Sequence, residues 1–308
     1  MKPLVIYTML LISIIFFMSN RTAKEDFPVL KGPYLGQQPP GMSPQVFAPG
    51  IICTDDHEGS SGFALNGKKF IFQKFIKRKC HTYEMNLKNG IWTTPSLVPF
   101  WQLLTHNGDF VMAPDDRTML FQVKTETSGV LVSNIWMVKL INGQWGKESP
   151  LPSSINTNFD ESFASETNNG DLYFFSRRPG GVGQSDLYLA RSVSGGYTPP
   201  VNLGKPFNTE YHEWDPFIAP DESYLIFCST KPGGFGGDDF YISFKGSKNK
   251  WSEPVNLGEL INSPASDNRP YVTNDGKYFF YTSSKRGNRD IYWVDARFLD
   301  QFRPKNHQ

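Results

Sequence analysis

The sequence has almost no excess of charge of either sign: among 308 residues, Lys and Arg number 31 and Asp and Glu 30. That balance excludes the broad basic surface of a non-specific nucleic-acid binder, and equally an acidic, disordered chain. Cysteine is scarce. Cys53, Cys80 and Cys228 are odd in number, far apart and without a CxxC pair, so no disulfide framework is encoded. They read as buried thiols, with a Cys53–Cys80 bridge as the alternative. Beyond the N-terminus no run is long and apolar enough to cross a bilayer. Familiar catalytic signatures are also missing: there is no Gly-x-Ser-x-Gly elbow, no His-Glu-x-x-His and no Walker loop.

What is plentiful is aromatic residues and chain breakers. Phe 25, Tyr 13 and Trp 7 make 15% of the chain, which favours a well-packed core. Gly 27 and Pro 23 are spread along its whole length. Both are costly inside helices, so few windows can hold a helix of ordinary length. The composition predicts an all-β protein of many short strands and turns.

The N-terminus stands apart. Lys2 precedes an apolar run from Leu4 to Met18, followed by the polar Ser19-Asn20-Arg21. A short positive region before an apolar core reads as a secretory signal. No small-x-small triplet marks a cleavage site, so an uncleaved anchor is the alternative, and it would be the chain's only contact with a membrane. No Cys ends the run, which argues against a lipoprotein anchor. Residues 1–20 are thus expected to be a signal peptide or anchor, 21–41 a Pro-, Gly- and Gln-containing linker, and 42–308 a single domain. The expected location is extracytoplasmic, either periplasmic or secreted.

An internal repeat sets the architecture. Trp251-Ser-Glu-Pro-Val-Asn-Leu-Gly258 echoes Tyr197-Thr-Pro-Pro-Val-Asn-Leu-Gly204, with looser copies beginning at Trp145 and Trp92; the intervals are 53, 52 and 54. A second marker is a tight-turn pair between apolar runs: Asn66-Gly67, Asp115-Asp116, Asn169-Gly170, Asp221-Glu222 and Asp275-Gly276, at intervals of 49, 54, 52 and 54. Two markers share one period. Each unit reads as four strands, a to d, with the turn pair joining a and b, and this is the size of one β-propeller blade. Five turn pairs predict five blades. The last repeat lacks its own strand d, and Met42 to Ile52 resembles Trp251 to Ile261 at an offset of 209, the same as from Asn66 to Asp275. The N-terminal segment is therefore expected to supply the outer strand of the last blade and so close the ring.

The order Asp-Glu, Pro-x-x-x-x-Asp-Gly-Lys, Tyr-x-x-Phe, a Gly-rich loop and Asp-Ile-Tyr resembles the TolB-type, WD-like β-propeller repeat of exported bacterial proteins. It is clearest from Asp215 to Ser243 and from Asp267 to Trp293, with Asp160 to Arg191 close behind. The first two repeats match loosely, since Lys77 to Cys80 and Thr125 to Ser133 replace the Gly-rich loop. The resemblance covers residues 42–298 and implies a propeller; its six-bladed TolB form is the alternative to five. It implies little about chemistry.

The glycine loops Pro179 to Gly183 and Pro232 to Gly237 are each followed by an Asp and an aromatic strand, not a helix. They read as b–c hairpins, not phosphate cradles. Asp186, Asp239 and Asp290 are expected to cap these loops, with Arg178, Lys231 and Arg286 as their partners. Stacking the repeats gives one further constellation. Nine residues before each turn pair stand His57, His106, Asp160, His212 and Ser266; the next position holds Glu58, Asn107, Glu161, Glu213 and Asp267. If the first ring converges at the channel rim, His57, His106, Asp160 and His212 form a ligand set for a divalent metal. Glu58, Glu161, Glu213 and Asp267 are then rim residues for ligand binding, or loop caps. No other cofactor is expected. The reading is a monomeric, non-catalytic binding or scaffold module for a protein, peptide or glycan, with no nucleic-acid partner. The alternative is a metal-dependent carbohydrate-active enzyme, a polysaccharide lyase or glycoside hydrolase, with its site in the channel.

Overall fold

Each repeat folds as one antiparallel sheet in which strand order follows chain order, a to d. The computed structural model describes residues 27–103, 107–127, 129–247 and 249–305; the expected signal or anchor, residues 1–20, lies outside them. Blade 1 is built from His57–Ala64, Lys69–Ile76, Lys79–Lys88 and Ser96–Leu97. Blade 2 comprises Asn107–Met112, Thr118–Thr127, Val130–Ile141 and Ser149–Pro150. Blade 3 comprises Glu161–Glu166, Leu172–Ser176, Asp186–Ala190 and Val201–Asn202; blade 4 comprises Glu213–Ile218, Tyr224–Ser229, Asp239–Phe244 and Val255–Asn256. Blade 5 has strands Asp267–Val272, Tyr278–Ser283 and Asp290–Asp295, and its outer strand is Gln45–Val46 from the N-terminal segment. Strand a of each blade packs on strand a of the next, and that of blade 5 packs on blade 1. The fold is a closed five-bladed β-propeller.

Local sequence explains the pattern. Strand b is pressed between two neighbours, and in blades 3 to 5 it reads as a nearly continuous apolar run such as Tyr278-Phe-Phe-Tyr281, buried throughout. The a–b turns need left-handed backbone, which Asn66, Asp116 and Glu222 adopt and Gly67, Gly170 and Gly276 accept without strain. Blades 1 and 2 extend strands b and c into long hairpins where blades 3 and 4 carry glycine loops. This is why the first two repeats match the sequence pattern loosely.

The ring closes as expected, with one refinement. Gln45 pairs with Trp293 and Val46 with Tyr292, and the Phe47 amide donates to the Ile291 carbonyl at 2.8 Å. Gln45 faces Trp293 as Val255 faces Ile242, each three residues past the strand-c Asp. The clasp therefore matches its copy at an offset of 210, while Glu58 and Asp267 match at 209. One extra residue is absorbed between the clasp and blade 1. Phe47, fully buried, meets Phe63, Phe70, Phe280 and Trp293 at ring separations of 5.0–6.3 Å.

The segment expected to be a linker is, from residue 27 onward, part of the folded unit. The Leu30 and Gly32 carbonyls accept the Trp92 amide and indole N–H at 3.0 and 2.7 Å, and Leu35 is buried. Its polar composition hid three apolar anchors: Leu30, Tyr34 and Leu35. The three cysteines are free thiols, Cys53 and Cys228 buried and Cys80 half-buried. Among the described residues no helix is long and apolar enough to cross a membrane.

The repeated rim aromatics fill seams. Trp145 of blade 2 donates its indole N–H to Glu84 of blade 1 at 2.7 Å, and Trp251 stands edge-on to Phe207 at 5.4 Å. The Trp251→Ala variant is expected to lose about 2 kcal/mol of stability, read as a lowered denaturation midpoint with ligand binding intact.

Candidate functional site

The carboxylates that open strand a divide into two kinds. Glu161, Glu213 and Asp267 are fully buried and act as caps. Glu161 accepts from the Thr157 amide and hydroxyl and from Ser176 Oγ, all at 2.7 Å. Glu213 takes the Thr209 amide and hydroxyl at 2.8 and 2.6 Å and Ser229 Oγ at 2.9 Å. Asp267 takes the Ser263 amide and hydroxyl at 2.6 and 2.9 Å. They fix the d–a loops to strand b and present no surface to a ligand, contrary to the rim role expected of them. Glu58 departs from the pattern. Thr54 keeps the position four residues before it that Thr157, Thr209 and Ser263 hold in the other blades, but Lys74 stands where those blades have Ser176, Ser229 and Ser283. Neither Glu58 oxygen has a well-formed hydrogen bond; the Thr54 amide and the Lys74 ammonium, 3.6 Å away, approach it, and burial outweighs their pull and pushes the carboxyl up to about 8.

The ring expected to hold a metal does not converge. Each described member reaches sideways to the preceding blade's b–c end. His57 Nδ1 accepts the Arg289 amide at 3.1 Å, Asp160 accepts the Ser133 amide at 2.8 Å, and His212 Nδ1 meets Ser185 Oγ at 3.1 Å. Spread one per blade, His57, Asp160 and His212 are not among the groups that approach closely enough to share an ion; His106 lies outside the described residues. His212 also stacks on Trp214 at 5.0 Å, and burial, then Arg177, lowers its pKa.

The expected loop pairings need correction as well. Asp186 and Asp239 do cap their loops, accepting the Val182 and Phe235 amides, each at 2.6 Å. Their supposed cationic partners sit elsewhere. Arg178 lies 5.0 Å over Tyr188 and 3.3 Å from Glu161, and Lys231 lies 3.8 Å over Tyr241. In blade 5 the equivalent cation is Lys285, 4.0 Å over Tyr292; Arg286 is 3.8 Å from Asp290.

What does converge lies two residues further along strand a, the register of Ser60, Asp109, Phe163, Asp215 and Arg269, of which Asp109, Asp215 and Arg269 meet. Every strand a carries a β-bulge there, which turns this position inward. Phe163, Asp215 and Arg269 take positive φ of 45°, 48° and 59°, a conformation costly for residues other than glycine. Arg269 Nε donates to Asp109 Oδ1 at 2.6 Å, and its amide donates to Asp215 Oδ2 at 3.2 Å. Burial and the Asp109 charge raise the Asp215 carboxyl well above the usual range. Arg289, 4.6 Å over the Phe75 ring, is pushed down to about 10 by burial and by Arg269. Alternation alone does not reveal this ring, because a bulge breaks alternation. The legible signal was a charge inside an apolar strand, Asp215 and Arg269 each preceding a Pro.

Around this channel mouth, on the face where b–c and d–a loops emerge, apolar side chains stand in solvent: Val130, Leu131, Phe159, Val182 and Phe235. Between blades 2 and 3 a groove of about 430 Å³ is lined by Val130, Leu131, Phe159, Asp160 and Arg177 among others. The opposite face holds a cavity of about 670 Å³ walled by Tyr34, Phe63, Tyr271 and Lys277 among others.

No family model matches the sequence, and no curated protein matches it. Similar solved structures include an endo-arabinase from Bacteroides thetaiotaomicron, at 11% identity over 84% of this chain and 97% of that one, with a TM-score of 0.52. The catalytic domain of a Coprinopsis cinerea GH62 α-L-arabinofuranosidase aligns at 10% identity over 83% of this chain and 97% of that one, TM-score 0.50. TolB from Acinetobacter baumannii aligns at 15% identity over 79% of this chain but 55% of that one, TM-score 0.47; the chain spans about half its length. Likeness at such identities concerns the fold.

Proposed function

We propose that the protein is a non-catalytic, extracytoplasmic binding propeller that takes a protein or peptide on the face where the b–c and d–a loops emerge. The carrying observation is the collection of exposed apolar tips Val130, Leu131, Phe159, Val182 and Phe235 on that one face, beside a groove bordered by Arg177 and Asp160. Exposed apolar groups gathered in one place, rimmed by polar ones, mark interaction surfaces. The channel carboxylates support binding over catalysis, since Asp109 and Asp215 are both engaged by Arg269. The apolar run of residues 4–18 supports export. Selection from a displayed random-peptide library should yield apolar-anchored peptides whose affinity falls about 10-fold or more in Phe159→Ser and Leu131→Ser, with thermal stability unchanged. Selected peptides indifferent to both changes would remove this face as the site.

A second reading, carbohydrate turnover in the channel, is favoured by the raised Asp215 carboxyl beside Asp109, since perturbed carboxyls gather at catalytic sites. It requires release of reducing sugar from polysaccharides that Asp215→Asn abolishes.

A further inference from the structure

We propose that Cys53, Glu58 and Asp290 form a site for a divalent transition metal, zinc above all, that locks the N-terminal clasp to the first and last blades. The three come from the three parts that meet at the closure: Cys53 follows the clasp, Glu58 opens strand a of blade 1 and Asp290 opens strand c of blade 5. Their Sγ and carboxylate oxygens all lie within 4.8 Å of one another, and all three residues are buried. Donors around a tetrahedral ion with bonds of about 2.0–2.3 Å stand roughly 3.5 Å apart, so small rotations complete the geometry.

The group is only partly explained as structure. Glu58, fully buried, has no well-formed hydrogen bond on either oxygen, although the Thr54 amide and the Lys74 ammonium approach it. Such a group is normally satisfied, and an exception calls for a cause. Asp290 lacks the role of its counterparts: Asp186 and Asp239 cap loops of residues 177–185 and 230–238, whereas the shorter loop 284–289 sends it no amide. The Cys53 thiol bonds the Ile291 backbone N–H and carbonyl at 3.2 and 3.6 Å, in the place where Asn156, Asn208 and Asn262 bond strand c of blades 2 to 4.

Charge points the same way. A thiolate and two carboxylates sum to −3. Lys74, 3.6 Å from Glu58, supplies +1, and a divalent ion supplies the remainder. Without it, burial raises the thiol and both carboxyls together. Arg286, largely exposed and 3.8 Å from Asp290, and His57, already bonded to the Arg289 amide, lie on the solvent side. A thiolate in the set selects zinc or its cobalt substitute over magnesium or calcium.

The test uses the chain under reducing conditions. Wild type should retain close to one equivalent of zinc after desalting, lose it to EDTA, and melt about 5 °C lower without it. Cobalt should give a near-ultraviolet thiolate-to-metal band that Cys53→Ser removes and Cys228→Ser keeps. Glu58→Gln guards against misfolding as an explanation. It removes the buried charge without changing shape, so it should fold, bind no zinc and melt at the same temperature with or without EDTA. In EDTA the wild type should lose stability as pH rises from about 4.5 to 8, because the folded state holds the Glu58 proton longer than the unfolded state; Glu58→Gln should lose less. Wild type that retains no zinc and shows no cobalt band overturns the site. So does zinc retained equally by Cys53→Ser and Glu58→Gln.

Discussion

Deleting residues 42–52 should leave no cooperatively folding propeller. The segment supplies the outer strand of blade 5 through Gln45 and Val46, and Phe47 beneath it is fully buried. Without it, strand c of blade 5 becomes an open edge of the kind that invites aggregation. The aromatic group of Phe63, Phe70, Phe280 and Trp293 also loses its centre. A single change isolates the packing part: Phe47→Ala should cost about 3–5 kcal/mol, read from urea denaturation. The effect should spread over the whole ring, because blades 1 and 5 share that core. Unfolding in which the other blades melt at the wild-type midpoint would mean that closure is a local ornament.

Arg269→Met should be comparably damaging, for an electrostatic reason. The guanidinium pairs with Asp109, with side chains of Arg269 and Asp109 only 12% and 18% exposed, and its charge also acts on Asp215, which accepts the Arg269 amide. Removing one partner of a buried ion pair leaves charge uncompensated, at about 3–5 kcal/mol. The sign of its pH dependence follows from Asp215, whose carboxyl is already raised by burial and by Asp109. A raised carboxyl means that the folded state binds more protons than the unfolded state above the ordinary carboxylate range, so stability falls as pH rises through that window. Loss of the Arg269 charge raises the Asp215 carboxyl further. The variant should therefore be nearly as stable as wild type near pH 4 and fall increasingly behind it towards neutral pH, by denaturation at each pH. A deficit that stays constant with pH would show that Arg269 acts through packing alone.

Much of the architecture was written in the sequence, because turn chemistry and rim aromatics recur once per blade. Blade number, turn positions and the crossing of the N-terminal strand to blade 5 followed from two periods and one offset. The site was less legible. Stacking the repeats picked out His57, Asp160 and His212, but a repeated polar position is one that every blade needs, and here the need is to clip one blade to the next. Glu161, Glu213 and Asp267 recur for the same reason, as caps. The informative residues are those that break the repeat. Arg269 and Asp215 place charge where the bulge turns inward, and Glu58 faces Lys74 where the other blades offer a serine. The bulge and the facing of Glu58 by Lys74 are properties of strand pairing, so alternation and spacing alone did not reveal them.

Hydrogen exchange on the complex with a selected peptide tests the central claim, binding at the loop-bearing face, most directly. Protection should rise over Val130–Val132, the d–a loop around Phe159 and the b–c loop of residues 177–185, which lie together on that face. Protection confined to the other mouth, around Tyr34, Tyr271 and Lys277, would contradict it.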